Sequence, residues 1–475
     1  MYGIHIDPAK SESAMKQICA QLRAMIDSGV LPSGTRLLPT RQLAKEWNIA
    51  RNIVIEVYEQ LTAEGYLEGR VGSGTYVADG IRLPGERATR SPEEHAQPGS
   101  TPSGGGPGGI IDFAAGLPDV ASFPRKLWAK YLKEAAERQA EQLAGYGPLF
   151  GDLRLRGEIR DYLFRAKGIR CEARQIVIVS GASEGLLLAA SALHSRYDSI
   201  YLEDPTIPFA RDIFERMHYR IVPVPVDRSG MNLDPLDEFQ PDHLVLVTPS
   251  HQFPIGSLLS IQRRKRAIRM AEQADTYILE DDYDSEFRLK GMPVPPLHTL
   301  APERVVYIGT FSKTLSPSLR IGFLLVPPAL LDLFAATKEA LNLFAPQASQ
   351  QALAGFIADG HFDRHLLAMK KLYRKRRQAV IERLDRDFGP SIAIDGDEAG
   401  MHLRVSFRHE ALAKLTWENT EAFGFNVETC REYAISEQHA QDGIVLGYGN
   451  LSAPEIDEGI TRLYKYAVAH GYPSR

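Results

Sequence analysis

The stretch TFSKTLSPSLRIG, residues 310–322, follows the apolar run RVVYIG and so sets Thr310, Ser312, Lys313 and Arg320 at the end of a predicted strand. A lysine in such a place forms a Schiff base with an aldehyde cofactor once burial or nearby charge lowers its pKa. Two hydroxyls and an arginine beside it offer a phosphate donors and a bidentate cation. A single lysine in a polar loop would carry little weight, so the other parts of the same chemistry decide. ILEDDYDSEF ends a strand on Asp281, 32 residues before Lys313, where a carboxylate can pair with a pyridinium nitrogen and preserve its electron-sink character. Tyr283, two residues on, can hydrogen-bond a phenolic ring oxygen. Consecutive acids after a strand also suit magnesium, but no Walker-type phosphate loop accompanies them, and no metal site is expected. VSGASEG, residues 179–185, runs from a strand through a glycine turn into a helix, which lets the backbone N–H groups of Ala182 and Ser183 receive phosphate.

A second constellation lies near the start of the chain. Arg51 and Asn52 open a helix, where arginine can read guanine and asparagine adenine in a major groove. Arg36 and Arg41 suit contacts to phosphate, and Arg70, Gly72 and Ser73 form a wing fit for a minor groove. Overall charge argues weakly against nucleic acid: the chain carries a formal −5, and residues 1–80 hold eight Lys and Arg against nine Asp and Glu. The basic residues fall at element starts and turns, while most acids lie on the helices between them.

The elements that must position these residues differ between the two ends. Ile18, Leu22, Met25 and Ile26 recur at helical spacing up to Gly29. Thr40 is read as the N-cap of a short helix through Trp47, a turn at Asn48-Ile49-Ala50 follows, and Val54, Val57, Tyr58 and Leu61 mark the next helix. YLEGRVGSGTYV then reads as a hairpin, which completes a winged helix-turn-helix over residues 1–80. Residues 81–109 are dominated by Pro, Gly, Ser and charge and read as a flexible linker. From residue 110 short apolar runs alternate with helical stretches, the pattern of a mainly parallel sheet with helices on both faces and ligands at the strands' carboxyl ends. A small α+β subdomain is expected from about residue 365. The basic runs RRKR at 263–266 and KKLYRKRR at 370–377 are read as solvated helix faces.

At 475 residues, 44% hydrophobic, the chain calls for two or more globular domains. No apolar run is long enough for a membrane span and MYGIHIDPAK lacks a signal peptide's pattern, so a cytoplasmic protein is expected. Three scattered cysteines argue against a disulfide framework.

Residues 110 onward resemble a fold-type I aminotransferase: IDFAAGLPD, YGPLFGDLRLRGEIRDYL, SGASEG, EDP, TPSHQFPIG, EDDYDSEF and GTFSKTLSPSLRIG arrive in that family's order. Residues 11–77 resemble a GntR-type winged helix, and the two halves together resemble the MocR or GabR-like regulators. The resemblance implies pyridoxal 5'-phosphate on Lys313, with Asp281 at the pyridine nitrogen, Tyr283 at the ring oxygen, and Ala182, Ser183, Thr310, Ser312 and Arg320 around the phosphate. It implies that Tyr146 reaches the phosphate of a neighbouring subunit, that His251 or Gln252 contacts the ring, and that Arg431, or else Arg211, holds an effector's carboxylate. A departure is Thr206-Ile207 after the EDP, where relatives commonly have Gly-Tyr. The family implies a homodimer with DNA domains exchanged between subunits, an operator as partner and an amino acid or related amino compound as effector. A functional aminotransferase carrying a DNA-binding domain, or a sensor of pyridoxal phosphate itself, are the alternatives.

Overall fold

The computed structural model describes residues 4, 6–7, 12–70, 73–78, 109–138 and 145–474, and it divides into two compact units, Met1–Ser100 and Thr101–Arg475. The linker expected at 81–109 lies outside the described residues apart from Gly109, and so does Gly72 of the wing.

The first unit is built from α1 (Ala14–Asp27), α2 (Thr40–Glu46), α3 (Arg51–Ala63), β1 (Leu67–Arg70) and β2 (Gly74–Val77). Ser13 caps α1 through its side chain, and Ile18, Leu22 and Ile26 turn inward against Val54, Val57 and Leu61 of α3. The strands pair antiparallel from Leu67↔Val77 to Arg70↔Gly74. Thr40 is not the N-cap that its type suggested. Pro39 occupies that place, α2 begins at Thr40, and the threonine hydroxyl instead accepts from Arg51 Nε at 3.3 Å. Asn48, at φ 53, makes the left-handed step that turns the chain from α2 into α3.

In the second unit the strands are β3 (Ile111–Asp112), β4 (Ile176–Val179), β5 (Ser199–Asp204), β6 (Arg220–Asp227), β7 (Gly230–Met231), β8 (His243–Val247), β9 (Ile278–Asp282), β10 (Val305–Thr310), β11 (Gly322–Leu325), β12 (Ile392–Asp395), β13 (His402–Phe407), β14 (Phe425–Asn426), β15 (Glu428–Thr429) and β16 (Ile444–Gly447). Eight of them form one sheet in the order β4-β11-β10-β9-β8-β5-β6-β7, parallel except that β11 and β7 run against their neighbours. Both faces are covered, as alternate residues show: Ile176 and Ile178 of β4 pack with Leu155 and Ile159, while Val177 and Val179 pack with Leu186 and Leu193 of the helix Ala182–Leu193. Beyond the long helix His361–Phe388 a smaller sheet, β12-β13-β16-β15, carries the C-terminal helix Ala453–Ala469. Among the described residues no helix is long and apolar enough to cross a membrane.

The basic runs are not wholly solvated. Arg264 is only 2% exposed, because its guanidinium donates to the carbonyls of Leu259, Pro249 and Pro295 at 2.6–2.8 Å. Arg377 is likewise buried on Asp397. Backbone carbonyls of loops and one acid thus satisfy cations whose sequence context looks like open surface.

Candidate functional site

Strand register brings the chemistry of the second unit to one edge. Asp281 pairs with Ile308 and Asp282 with Gly309, so Asp281 lies one residue before the end of β9, beside the end of β10 at Thr310. Thr310 pairs with Gly322 on β11, and Gly322 pairs with Val179, so the chain leaves β10, passes Lys313 and Arg320, and returns beside the turn at residues 180–182. Gly181 has φ 92, and a Cβ there would stand 3.0–3.2 Å from the Arg320 guanidinium. Arg320, itself left-handed at φ 49, donates through Nη2 to Ser180 O at 2.5 Å and to Ser183 Oγ at 3.2 Å. Thr310 Oγ1 lies 3.1 Å from both Ser312 Oγ and Ser312 N. The first-turn N–H groups of Ala182 and Ser183, two hydroxyls and a guanidinium therefore surround one cradle at a helix N-terminus, the donor set a phosphate requires.

Lys313 Nζ donates to the carbonyl of Gly116 at 2.8 Å. Burial lowers the Lys313 pKa, against the attraction of Asp284 and Asp281. Asp281 is 5% exposed, its Oδ1 has no hydrogen-bond partner among the described residues, and burial, with Asp282 and Asp284 nearby, pushes its carboxyl up to about 7. A buried carboxylate oxygen without a donor is costly, and a protonated ring nitrogen would supply the missing one. The residues present thus fit pyridoxal phosphate in charge and donor chemistry.

Tyr283 donates to the carbonyl of His251 at 2.8 Å and lies 3.2 Å from its Nδ1. The same Nδ1 lies 2.9 Å from Asp284 Oδ2. Gln252 turns its amide to the backbone, donating to Pro205 O and Phe253 O and accepting from Ile255 N. Burial pushes the Asp284 carboxyl up; burial also disfavours the charged His251 imidazole, but the Asp284 carboxylate outweighs this and leaves it raised. The His402 ring lies tilted against that of His251, centroids 4.7 Å apart, and burial drives it well below its ordinary range, which keeps it neutral. Tyr146 is 87% exposed, edge-on to Phe344. Ile207 of the departing loop packs against the cluster that includes Phe253 and Tyr433.

Both candidate arginines are paired with acids. Arg431 is exposed and engaged by Glu437 at 2.8 Å and Asp442 at 3.6 Å, over a shallow groove with Thr416 and Trp417. Arg211 lies 3.4 Å from Asp212 and 3.9 Å from Glu215 on its own helix. Sequence reasoning missed Gly116, although IDFAAGLPD contains it, and missed Asp284 and the pair Glu184–Lys338. Glu184 accepts from Ser180 N at 2.6 Å and from buried Lys338 at 3.1 Å, which fixes the 180–183 turn. Asp204, at the end of β5, holds the 435–439 loop through Ile435 N, Ser436 N and His439.

In the first unit Arg41, Arg51 and Asn52 are exposed at the starts of α2 and α3. Arg36 is exposed with its guanidinium over Gly74, and Arg70 sits on Glu68 at 2.8 Å and over the Tyr76 ring at 4.5 Å. Ser73 Oγ meets Tyr76 OH at 2.6 Å. The recognition-helix start and the wing thus both present donors to solvent.

Comparison with known proteins agrees with both halves. Residues 14–77 match the family of bacterial regulatory proteins, gntR family, and residues 109–452 match aminotransferase class I and II. The chain is 37% identical to the probable rhizopine catabolism regulatory protein MocR of Rhizobium meliloti, over 94% of this chain and 92% of that protein. It is 32% identical to the pyridoxine biosynthesis transcriptional regulator PdxR of Corynebacterium glutamicum, over 94% of each. Among solved structures it is similar to LysN, the α-aminoadipate aminotransferase of Thermus thermophilus in complex with N-(5'-phosphopyridoxyl)-L-leucine, with TM-score 0.69, 25% identity and coverage of 76% of this chain and 93% of that one.

Proposed function

We propose, from the premise that this chain belongs to the gntR family of bacterial regulators of the MocR type, in which a helix-turn-helix is joined to an aminotransferase-like domain, that it changes its hold on DNA when an amino compound is read at Lys313. It is a DNA-binding transcription regulator and its cofactor is pyridoxal phosphate. The residues proposed to hold that cofactor are Lys313, Asp281, Ala182, Ser183, Thr310, Ser312 and Arg320, with Tyr283 and His251 beside the ring. Bound there, pyridoxal phosphate would supply an aldehyde carbon for which Lys313 and an incoming primary amine would compete.

The observation that carries this reading is the desolvated Lys313, held by the Gly116 carbonyl and flanked by the unpartnered carboxylate oxygen of Asp281. Desolvation favours the neutral amine that such an exchange needs. A Lys313 amine released by that exchange would be free to donate to the Gly116 carbonyl and tie down the 113–117 segment, whose Phe113 carbonyl accepts from Gly447 N on the small sheet, and so alter how the two lobes of the second unit sit. An effector shifts DNA affinity only by preferring one such arrangement. The protein is further proposed to act as a cytoplasmic homodimer, with the exposed Tyr146 reaching the partner's cofactor and the DNA domains exchanged.

The test is operator affinity of the cofactor-loaded protein with and without primary amines. A change in affinity with an amine, and none with the matching alcohol, supports the reading. Indifference of DNA binding to every amine that alters the visible spectrum would end it.

A further inference from the structure

The carbonyl that holds Lys313 belongs to Gly116, and its neighbour Ala115 packs with Phe253, Cys430, Tyr433, Val445 and the Tyr283 ring. This apolar cluster joins the lysine's surroundings to the small sheet. Glu428 of β15 and Arg404 of β13 both pair with Val445 of β16, so the three side chains leave that sheet on one face. Both charged neighbours border the cluster, Glu428 at Ala115 and Arg404 at Cys430, which its side chain hydrogen-bonds. Glu428 Oε2 lies 3.5 Å from Ala115 N, and the Tyr433 hydroxyl bonds to it. Burial pushes the Glu428 carboxyl upward. The Arg404 guanidinium is engaged by Asp442 O, to which Nη2 donates at 2.7 Å, and by Asp395, 3.9 Å from Nη1, while its buried Nε has no hydrogen-bond partner among the described residues. Arg431 and Arg211 are engaged by surface acids.

Resting on the reading that an amino compound is sensed at Lys313, we propose that this compound bears a cationic, hydrogen-bond-donating group at its far end, received by Glu428 and Tyr433, and carries no carboxylate there. The ligand class is a diamine or an amine of similar polarity. The charged groups acting on Lys313 are Asp284 and Asp281, and Glu428 adds a third acid beyond the apolar wall. A ligand carboxylate placed among them would meet like charge in a partly desolvated site, whereas an ammonium gives Glu428 the counter-ion that its burial lacks.

Three four-carbon amines that differ only in their far end test this: 1,4-diaminobutane, 4-aminobutyrate and n-butylamine. Dissociation constants are measured on the full-length, cofactor-loaded protein by visible titration and, independently, by calorimetry. The expected order is diaminobutane tightest, at least tenfold tighter than butylamine, with 4-aminobutyrate weakest. In Glu428→Gln, which keeps the shape of the side chain, the diamine's advantage over butylamine falls below threefold. Tighter binding of 4-aminobutyrate than of diaminobutane, or an undiminished diamine preference in Glu428→Gln, overturns the proposal. Loss of 4-aminobutyrate binding in Arg404→Gln would then name the anion's anchor. Equal binding of all three amines overturns this proposal alone, while failure of all three to bind a yellow, DNA-competent protein overturns the amine-sensing reading with it.

Discussion

Replacing Asp281 by asparagine should move two properties of the protein in opposite directions. With the cofactor held as proposed, the carboxylate would face a protonated ring nitrogen, a buried charge-assisted hydrogen bond of about 1.5–3 kcal/mol. Its loss should raise the dissociation constant for pyridoxal phosphate by about tenfold to a hundredfold. Without the cofactor, the carboxyl is buried, one oxygen lacks a donor, and its pKa stands at about 7 against an ordinary 3.8. The folded chain then holds the proton longer than the unfolded chain does, so stability declines as pH rises from about 4 through about 7. That rise corresponds to at most ~4 kcal/mol above pH 7, and asparagine avoids it. Cofactor-free Asp281→Asn should therefore unfold like the parent at pH 4 and resist denaturant better at pH 8. Spectroscopic titration with pyridoxal phosphate and urea unfolding of the cofactor-free proteins at the two pH values provide both numbers. A variant that binds the cofactor within threefold of the parent, or that is destabilised at pH 8, would refute the placing of Asp281 at the ring.

Arg320→Gln removes the guanidinium that spans Ser180 O and Ser183 Oγ, and should weaken pyridoxal phosphate far more than pyridoxal when both are titrated. Arg51→Ala should relax base preference at about 1–3 kcal/mol, while Arg41→Ala should weaken all sequences alike and reduce the salt dependence, both measured by anisotropy over a salt series. Arg431→Ala removes only an exposed ion pair with Glu437 and Asp442, so the amine concentration that half-saturates the DNA response should not move.

That the motif residues at strand ends gather at one edge was readable because a strand's carboxyl end and the turn after it leave few directions for a side chain. Lys313, Asp281, Ala182 and Arg320 fall at one edge through the register of β9, β10, β11 and β4. Directions set by tertiary contacts were not readable. Arg431 follows Cys430 in a short turn, and the buried thiol turns inward while the arginine points out. Whether His251 or Gln252 faces the ring depends on carbonyls of two loops that satisfy the Gln252 amide. Glu428 lies in a strand of two residues, and its face is fixed only by pairing with Val445, distant in sequence. Arg264 and Thr40 show the same limit, since the partners that bury one and redirect the other come from other elements.

The most direct test joins both units in one experiment. DNA fragments recovered with the full-length protein from its own genome are used as the operator, and their affinity is measured for parent and Lys313→Ala over a titration of 1,4-diaminobutane. The parent, yellow with pyridoxal phosphate, should change its affinity by at least tenfold on saturation. Lys313→Ala should be colourless, bind the fragment, and show no response to the amine. An amine response of equal size in Lys313→Ala would contradict the claim that DNA binding is governed through this lysine.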